Sequence, residues 1–271
     1  AVSILSSMDP IRLFQQYATI DALSNGRAEI MAGRGSFTES FPLFGYELKD
    51  YEALFDEKLD LLQLANESTK VNWQGQLTQS IAGKEVYPRP VQGKLPLWVA
   101  TGGHVESTVK IARAGLPNVY AIIGGNPRYF KKLIQAYREI GRETGHAEKD
   151  LKVGAHSWGW IAEDGEQALK DYFYPTKQVV DAISKDRPHW QELTYQQYLE
   201  QVGPNGAMFV GNPNQVAEKL IRMIEDLDLD RFMLHLPLGS MPHNQVLRAI
   251  KLFGTQVAPK IRANFAMKER I

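Results

Sequence analysis

Short apolar runs of strand length alternate with longer stretches of helical period along this chain, and that alternation limits the folds open to it. The runs fall at 1–5, 28–32, 97–100, 119–123, 151–162 and 232–236. Each is continuously apolar, as in a parallel sheet whose strands are covered on both faces. Helical spacing comes after every one, as in Phe14, Tyr17, Ala18 and Ala22, or Val216, Leu220, Ile224 and Leu227. Right-handed crossovers curl such a sheet toward an α/β barrel. Eight βα units close a barrel and six do not, so two N-terminal units are expected to be missing from residues 1–271, otherwise read as one domain. The rival, an open doubly wound sheet, calls for a glycine-rich turn after its first strand, and no G-x-G-x-x-G lies there. Between Glu67 and Gln92 the helical period lapses, which predicts an irregular hairpin insertion, a candidate lid together with the loop at 37–46.

Punctuation agrees with this division. Asp9 and Pro10 suit the start of the first helix, and Ser24-Asn25-Gly26 its stop, with Gly26 as the left-handed cap. Asn126-Pro127 and Asn212-Pro213 open later helices, and Pro259 should end or kink the last one. Lys plus Arg and Asp plus Glu both number 31, which gives no electrostatic case for a nucleic-acid or membrane partner. With no cysteine, thiolate chemistry, disulfides and Cys-ligated metal are excluded. No apolar run approaches a membrane span and no leader pattern opens the sequence, so a cytoplasmic protein is expected.

Two turns carry the functional signal. Leu97 to Ala100 runs into Thr101-Gly102-Gly103, and a helix begins near Val105. A strand, a glycine turn and a helix start form an anion seat, since the first helical N–H groups and the dipole face whatever lies over the turn. Ser107, His104 and Thr101 can add side-chain donors. The second turn is Gly33-Arg34-Gly35, where the guanidinium offers a fork for phosphate between glycines that permit close approach. The plain alternative is a structural Arg34 paired with Glu29 or Glu39. His104, His156 and His235 can lie near strand ends, but no H-x-H or H-E-x-x-H pair is present and no metal site is assigned. Trp158, Trp160 and the aromatics after them are read as packing or a subunit interface.

Leu5-Ser6-Ser7-Met8-Asp9-Pro10-Ile11-Arg12, the run Asp21-Ala22-Leu23-Ser24-Asn25-Gly26-Arg27 and then Gly33-Arg34-Gly35 resemble the luciferase-like flavin-dependent monooxygenases. The Trp98 to Pro117 stretch, Phe209 to Pro213 and Leu252 to Pro259 resemble the same family, in the same order. The resemblance implies a TIM-type (β/α)8 barrel, usually dimeric, that binds FMN or the deazaflavin F420. It implies an oxidoreductase that takes reduced flavin from a reductase and acts with oxygen on a small organic substrate, or else a non-catalytic flavin-binding protein of the same fold. Arg34 falls at the family's phosphate-binding arginine, and Gly103, His104 and Ser107 at its phosphate-cradling turn. Ala1 and Val2 fall where the family places a strained, often cis, peptide against the flavin ring. The cofactor-binding set is then Ala1, Val2, Arg34, Thr101, Gly102, Gly103, His104 and Ser107, and no residue is assigned a catalytic role. A barrel isomerase or aldolase acting on a phosphate ligand is the third reading, and it lacks an obvious strand-end lysine or carboxylate.

Overall fold

A computed structural model of the chain describes residues 2–35, 39–186 and 190–268. Parallel strands alternate with helices, the arrangement of the α/β barrel class, and the chain divides into two compact units, Ala1–Val119 and Tyr120–Ile271. No helix among the described residues is long and apolar enough to cross a membrane.

In the first unit, β1 (Ser3–Ile4), β2 (Ile30–Gly33) and β5 (Leu97–Thr101) run parallel with β2 in the middle. Helix α1 (Pro10–Ser24) begins as its sequence demands, with Asp9 accepting the Arg12 N–H at 2.8 Å and Pro10 at the first position. Its stop differs in detail from expectation. Asn25 takes the left-handed cap at φ 56° and Gly26 comes next at φ 79°, because the short Asn side chain tolerates that region. The D-x-L-S-x-G-R run closes on itself here. Ser24 Oγ accepts the Arg27 N–H at 3.2 Å, and buried Asp21 accepts from the Ala28 N–H at 3.2 Å and the Gln92 amide at 2.6 Å. The motif thus joins α1 to the far end of the insertion.

After β2, the single-turn helix α2 (Ser40–Leu43) buries Phe41, and α3 (Tyr51–Glu67) leads into the insertion. The insertion is an antiparallel hairpin, β3 (Lys70–Trp73) with β4 (Ile81–Glu85). It is anchored to α3: the Glu57 carboxylate accepts the N–H groups of Gln76, Leu77 and Thr78 at 3.0, 2.9 and 2.8 Å. Arg89 donates to the carbonyls of Ala65 and Asn66 at the C-terminal end of α3, at 2.7 and 2.8 Å. Buried Asn66 bridges to Leu95, donating to its carbonyl at 2.8 Å and accepting its N–H at 2.9 Å.

Helix α4 (Val105–Arg113) completes the first unit, and β6 (Asn118–Ala121) spans the division. In the second unit the Asn126-Pro127 start opens a 3-10 turn, and α5 (Phe130–Glu143) continues from it. Strand β7 (Val153–Ile161) pairs in parallel with β8 (Phe209–Gly211) along its last residues and with β9 (Arg231–His235) along the rest. Strand β8 adds to the six apolar runs. At three residues it is too short to show a period, and its neighbour supplies its hydrogen bonds. The aromatic stretch forms α6 (Gly165–Asp186) and α7 (Tyr195–Val202), where Trp160 stacks on Tyr172 at 5.9 Å and Phe173 meets Tyr195 at 4.9 Å. Helix α8 (Pro213–Leu227) carries half-buried Lys219, whose ammonium donates to the carbonyls of Val202, Gly203 and Met208 at 2.8, 2.7 and 2.6 Å. Pro259 does not end the last helix. A π turn at Phe253–Val257 joins α9 (His243–Leu252) to α10 (Ala258–Lys268) without a break, so the helix carries its irregularity just before the proline.

Asn66→Ala removes both partners of Leu95 and leaves a buried N–H and a buried carbonyl, so urea titration should show a loss of about 2–4 kcal/mol. A variant of wild-type stability would show that water reaches Leu95.

Candidate functional site

The parallel pairing of β2 with β5, with Gly33 opposite Ala100, brings the turns at the ends of both strands to one edge of the first unit. Arg34 leaves β2 there, and Thr101 to His104 leave β5. Across 73 residues of sequence, Arg34 Nη2 donates to Ser107 Oγ at 2.9 Å. Its Nη1 donates to both carboxylate oxygens of Glu52, in the first turn of α3. Arg34 thus has a structural ion pair, with Glu52 in place of Glu29 or Glu39. The Arg34 side chain is 14% exposed and that of Glu52 59%, so the arginine is set into the protein and its counter-charge lies at the rim. Tyr51 adds a ring 5.8 Å from the guanidinium carbon, held by its hydroxyl donating to the Gly35 carbonyl at 2.5 Å.

The glycines flanking Arg34 have a steric reason besides the one expected. A Cβ on Gly33 would lie 2.9 Å from a Val2 methyl, and one on Gly35, at φ +81°, would lie 2.7 Å from an Ile4 methyl. They make room for Val2 and for Ile4 of β1, which lie against the two glycines. Ala1 lies outside the described residues. Val2 is in place beside Gly33, and the cis peptide among the described residues is Tyr87–Pro88.

The turn after β5 is open. A Cβ on Gly102 would meet nothing within 4 Å, whereas Gly103 stands at φ +94° and needs glycine for its backbone alone. Buried Thr101 accepts the Gly103 N–H at 3.4 Å, which braces the turn. His104 occupies the N-cap position of α4 with an extended backbone and an exposed side chain, and no side chain caps the helix. The N-termini of α1 and α8 are capped by Asp9 and Asn212. At α4 the first N–H groups and the dipole instead face the space beside Ser107 and Arg34.

From this edge a cleft of about 430 Å³ runs between α3 and α4. Arg34, Thr101 and Ser107 line it, Phe55, Leu59, Val99 and Ile111 give it an apolar floor, and Lys110 bridges it to Asp56. Tyr51, Glu52, Asp56 and Lys110 went unassigned in the sequence because each reads as an ordinary position on an amphipathic helix. Only the packing of α3 beside Arg34 distinguishes them.

In the second unit, the register of β7 on β9 sets Trp158 beside His235, and the rings of His156 and His235 lie 5.4 Å apart. Burial, reinforced by His235, lowers His156 to about 4, and its Nε2 is buried without a partner. No group of three or more potential metal ligands occurs among the described residues.

A sequence profile described as luciferase-like monooxygenase matches residues 1–230, and the chain belongs to that family. An F420-dependent glucose-6-phosphate dehydrogenase from Amycolatopsis mediterranei is 25% identical over 262 residues, covering 94% of this chain and 76% of the relative. The crystal structure of monooxygenase RslO1 from Streptomyces bottropensis superposes with a TM-score of 0.80 at 19% identity, over 96% of this chain and 76% of that one. The oxygenating constituent of 3,6-diketocamphane monooxygenase from Pseudomonas putida, in complex with FMN, gives a TM-score of 0.66 at 15% identity, over 96% and 78%.

Because His156 is held neutral in the fold down to about pH 4 while an unfolded histidine charges near 6.5, only the unfolded chain binds a proton in that window. Its contribution to stability is therefore present above pH 6.5 and is lost as pH falls toward 4. In His156→Phe the acid-side fall in melting temperature over that range should be shallower. An identical slope would mean the ring is solvated.

Proposed function

We propose that this chain is a flavin-dependent oxidoreductase of the monooxygenase kind, and that the edge formed by Arg34, Thr101 to His104 and Ser107 holds the phosphate of FMN, or of F420. The observation that carries the reading is the Arg34–Ser107 hydrogen bond, which joins the two turns into one donor set. The residues fit such a group. An inset guanidinium, a hydroxyl, uncapped helical N–H groups and an open Gly102 surround one space, and all are donors or allow approach.

When bound, the reduced flavin supplies the reactivity toward oxygen, and the protein supplies position and dryness. In this reading Arg34 and Ser107 share the phosphate oxygens, Gly102 lets the phosphate approach the backbone, and Thr101 keeps the turn from collapsing. Ala1 and Val2 would border the flavin ring. A reductase would deliver the reduced cofactor to a homodimer acting on a small organic substrate. One similar protein is an FMN complex and another an F420-dependent enzyme, which supports a flavin-type cofactor for this chain as well.

Arg34→Ala should weaken FMN binding by about 1.5–3 kcal/mol, the range for a charge-assisted hydrogen bond, while riboflavin, which has no phosphate, is unaffected. Fluorescence-quenching titrations of both ligands check this, and unchanged FMN affinity overturns the phosphate role. Gly102→Val, which has room in the free protein, should likewise weaken FMN and preserve the melting temperature. Oxygen consumption with NADH, a flavin reductase and FMN, above the reductase-only rate in the presence of substrate, tests the activity.

A further inference from the structure

From the order of charges along the cleft between α3 and α4, we infer that the end of this cleft away from Arg34 is a binding site for a zwitterionic amino acid with an apolar side chain. Its ammonium pairs with Asp60, its carboxylate pairs with Arg113, and its side chain lies on the apolar floor. The inference does not depend on the phosphate role given above to Arg34 and Ser107, which sit at the other end.

The two helices bring opposite charges to the cleft. On α3, Glu52, Asp56 and Asp60 recur every four residues and so lie along one face. On α4, Lys110 and Arg113 stand three apart and share a face in the same way. Two rungs across the cleft are closed, Glu52 with Arg34 at the mouth and Asp56 with Lys110 at 2.5 Å. One turn further along each helix come Asp60 and Arg113. Both line the cleft, and among the described residues Asp60 has no ion pair. Partial burial, with the Asp56 and Glu57 carboxylates nearby, raises the Asp60 carboxyl above its ordinary value, and no base offsets this. The third rung is open.

An open rung of this kind fits a molecule that carries both charges. Along the cleft three carboxylates are matched by three bases, so a ligand with a net charge of either sign upsets the balance and a zwitterion keeps it. The space itself selects the side chain. At about 430 Å³ the cleft is within the size range of small-molecule sites. Buried Leu59 and Ile111, with Ala114 and Leu116 beside them, give it an apolar surface that a simple ion would leave bare. Two solvent-exposed ion pairs are weak by themselves, so the apolar contact carries much of the affinity.

The test is isothermal titration of the full chain with L-leucine and L-phenylalanine, and with glycine, L-leucinamide and N-acetyl-L-leucine as controls. Glycine lacks the side chain, leucinamide the carboxylate and N-acetyl-leucine the ammonium. Leucine or phenylalanine should bind about tenfold more tightly than any control. Asp60→Asn should weaken leucine and leucinamide about tenfold and leave N-acetyl-leucine unchanged. Arg113→Gln should weaken leucine and N-acetyl-leucine and leave leucinamide unchanged. Both residues are exposed, so both variants should keep the wild-type melting temperature. Ala114→Trp, at an exposed position in the lining, should abolish leucine binding by filling this end of the cleft. Leucinamide or N-acetyl-leucine binding as tightly as leucine, or Asp60→Asn leaving leucine unchanged, overturns the inference. So does the failure of both leucine and phenylalanine to bind at about 1 mM. FMN affinity should be the same in Asp60→Asn as in wild type, so a negative result here leaves the phosphate role standing.

Discussion

A guanidinium does not lose its proton at any pH a protein survives, so Arg34, set into the first unit at the end of β2, requires partners wherever the chain goes. Much of the edge is arranged to supply them. Glycines at 33 and 35 give room to Val2 and Ile4 on either side of the residue's backbone, Tyr51 lays a ring beside it, Ser107 comes from α4 and Glu52 from α3. Two βα turns that the sequence keeps far apart are thereby fastened at one point. The candidate site is this fastening together with the open turn next to it.

Buried and half-buried polar groups elsewhere in the chain are handled differently. Lys219 is satisfied by three backbone carbonyls, Lys58 donates to the Ser6 carbonyl at 2.7 Å over the Tyr46 ring, and Asn66 closes a reciprocal pair with Leu95. Burial lowers both lysines, to about 7 at Lys219 and about 8 at Lys58. None of these partners is free to move, and the groups serve the scaffold. Glu57 does the same for the hairpin insertion, which is pinned to α3 through its carboxylate. Arg34 stands apart because one of its partners is an exposed carboxylate at the rim, so its charge is balanced at the surface and not by the scaffold.

Much of this was legible before folding. Asp9-Pro10, Asn212-Pro213 and the glycine turn at 102–103 act through local backbone chemistry, and each does in the fold what its residue type requires. The D-x-L-S-x-G-R run was legible as a family signature but not as to its work, which depends on Gln92 arriving from 71 residues away. Strand β8 escaped because three residues carry no period, and at Pro259 the helix continues but with a π turn just before it.

From the sequence alone came the strand-helix alternation, the lineage, and the Arg34 turn and the glycine turn holding Gly103 and Ser107 as two expected parts of one seat, since propensity, capping and motif are properties of neighbouring residues. Tertiary structure decided that the two meet, that Glu52 and Tyr51 join them, and that a cleft opens beyond. Those facts depend on the register of β2 on β5 and on how α3 packs, and long-range contacts of that kind leave no mark in any short stretch of sequence.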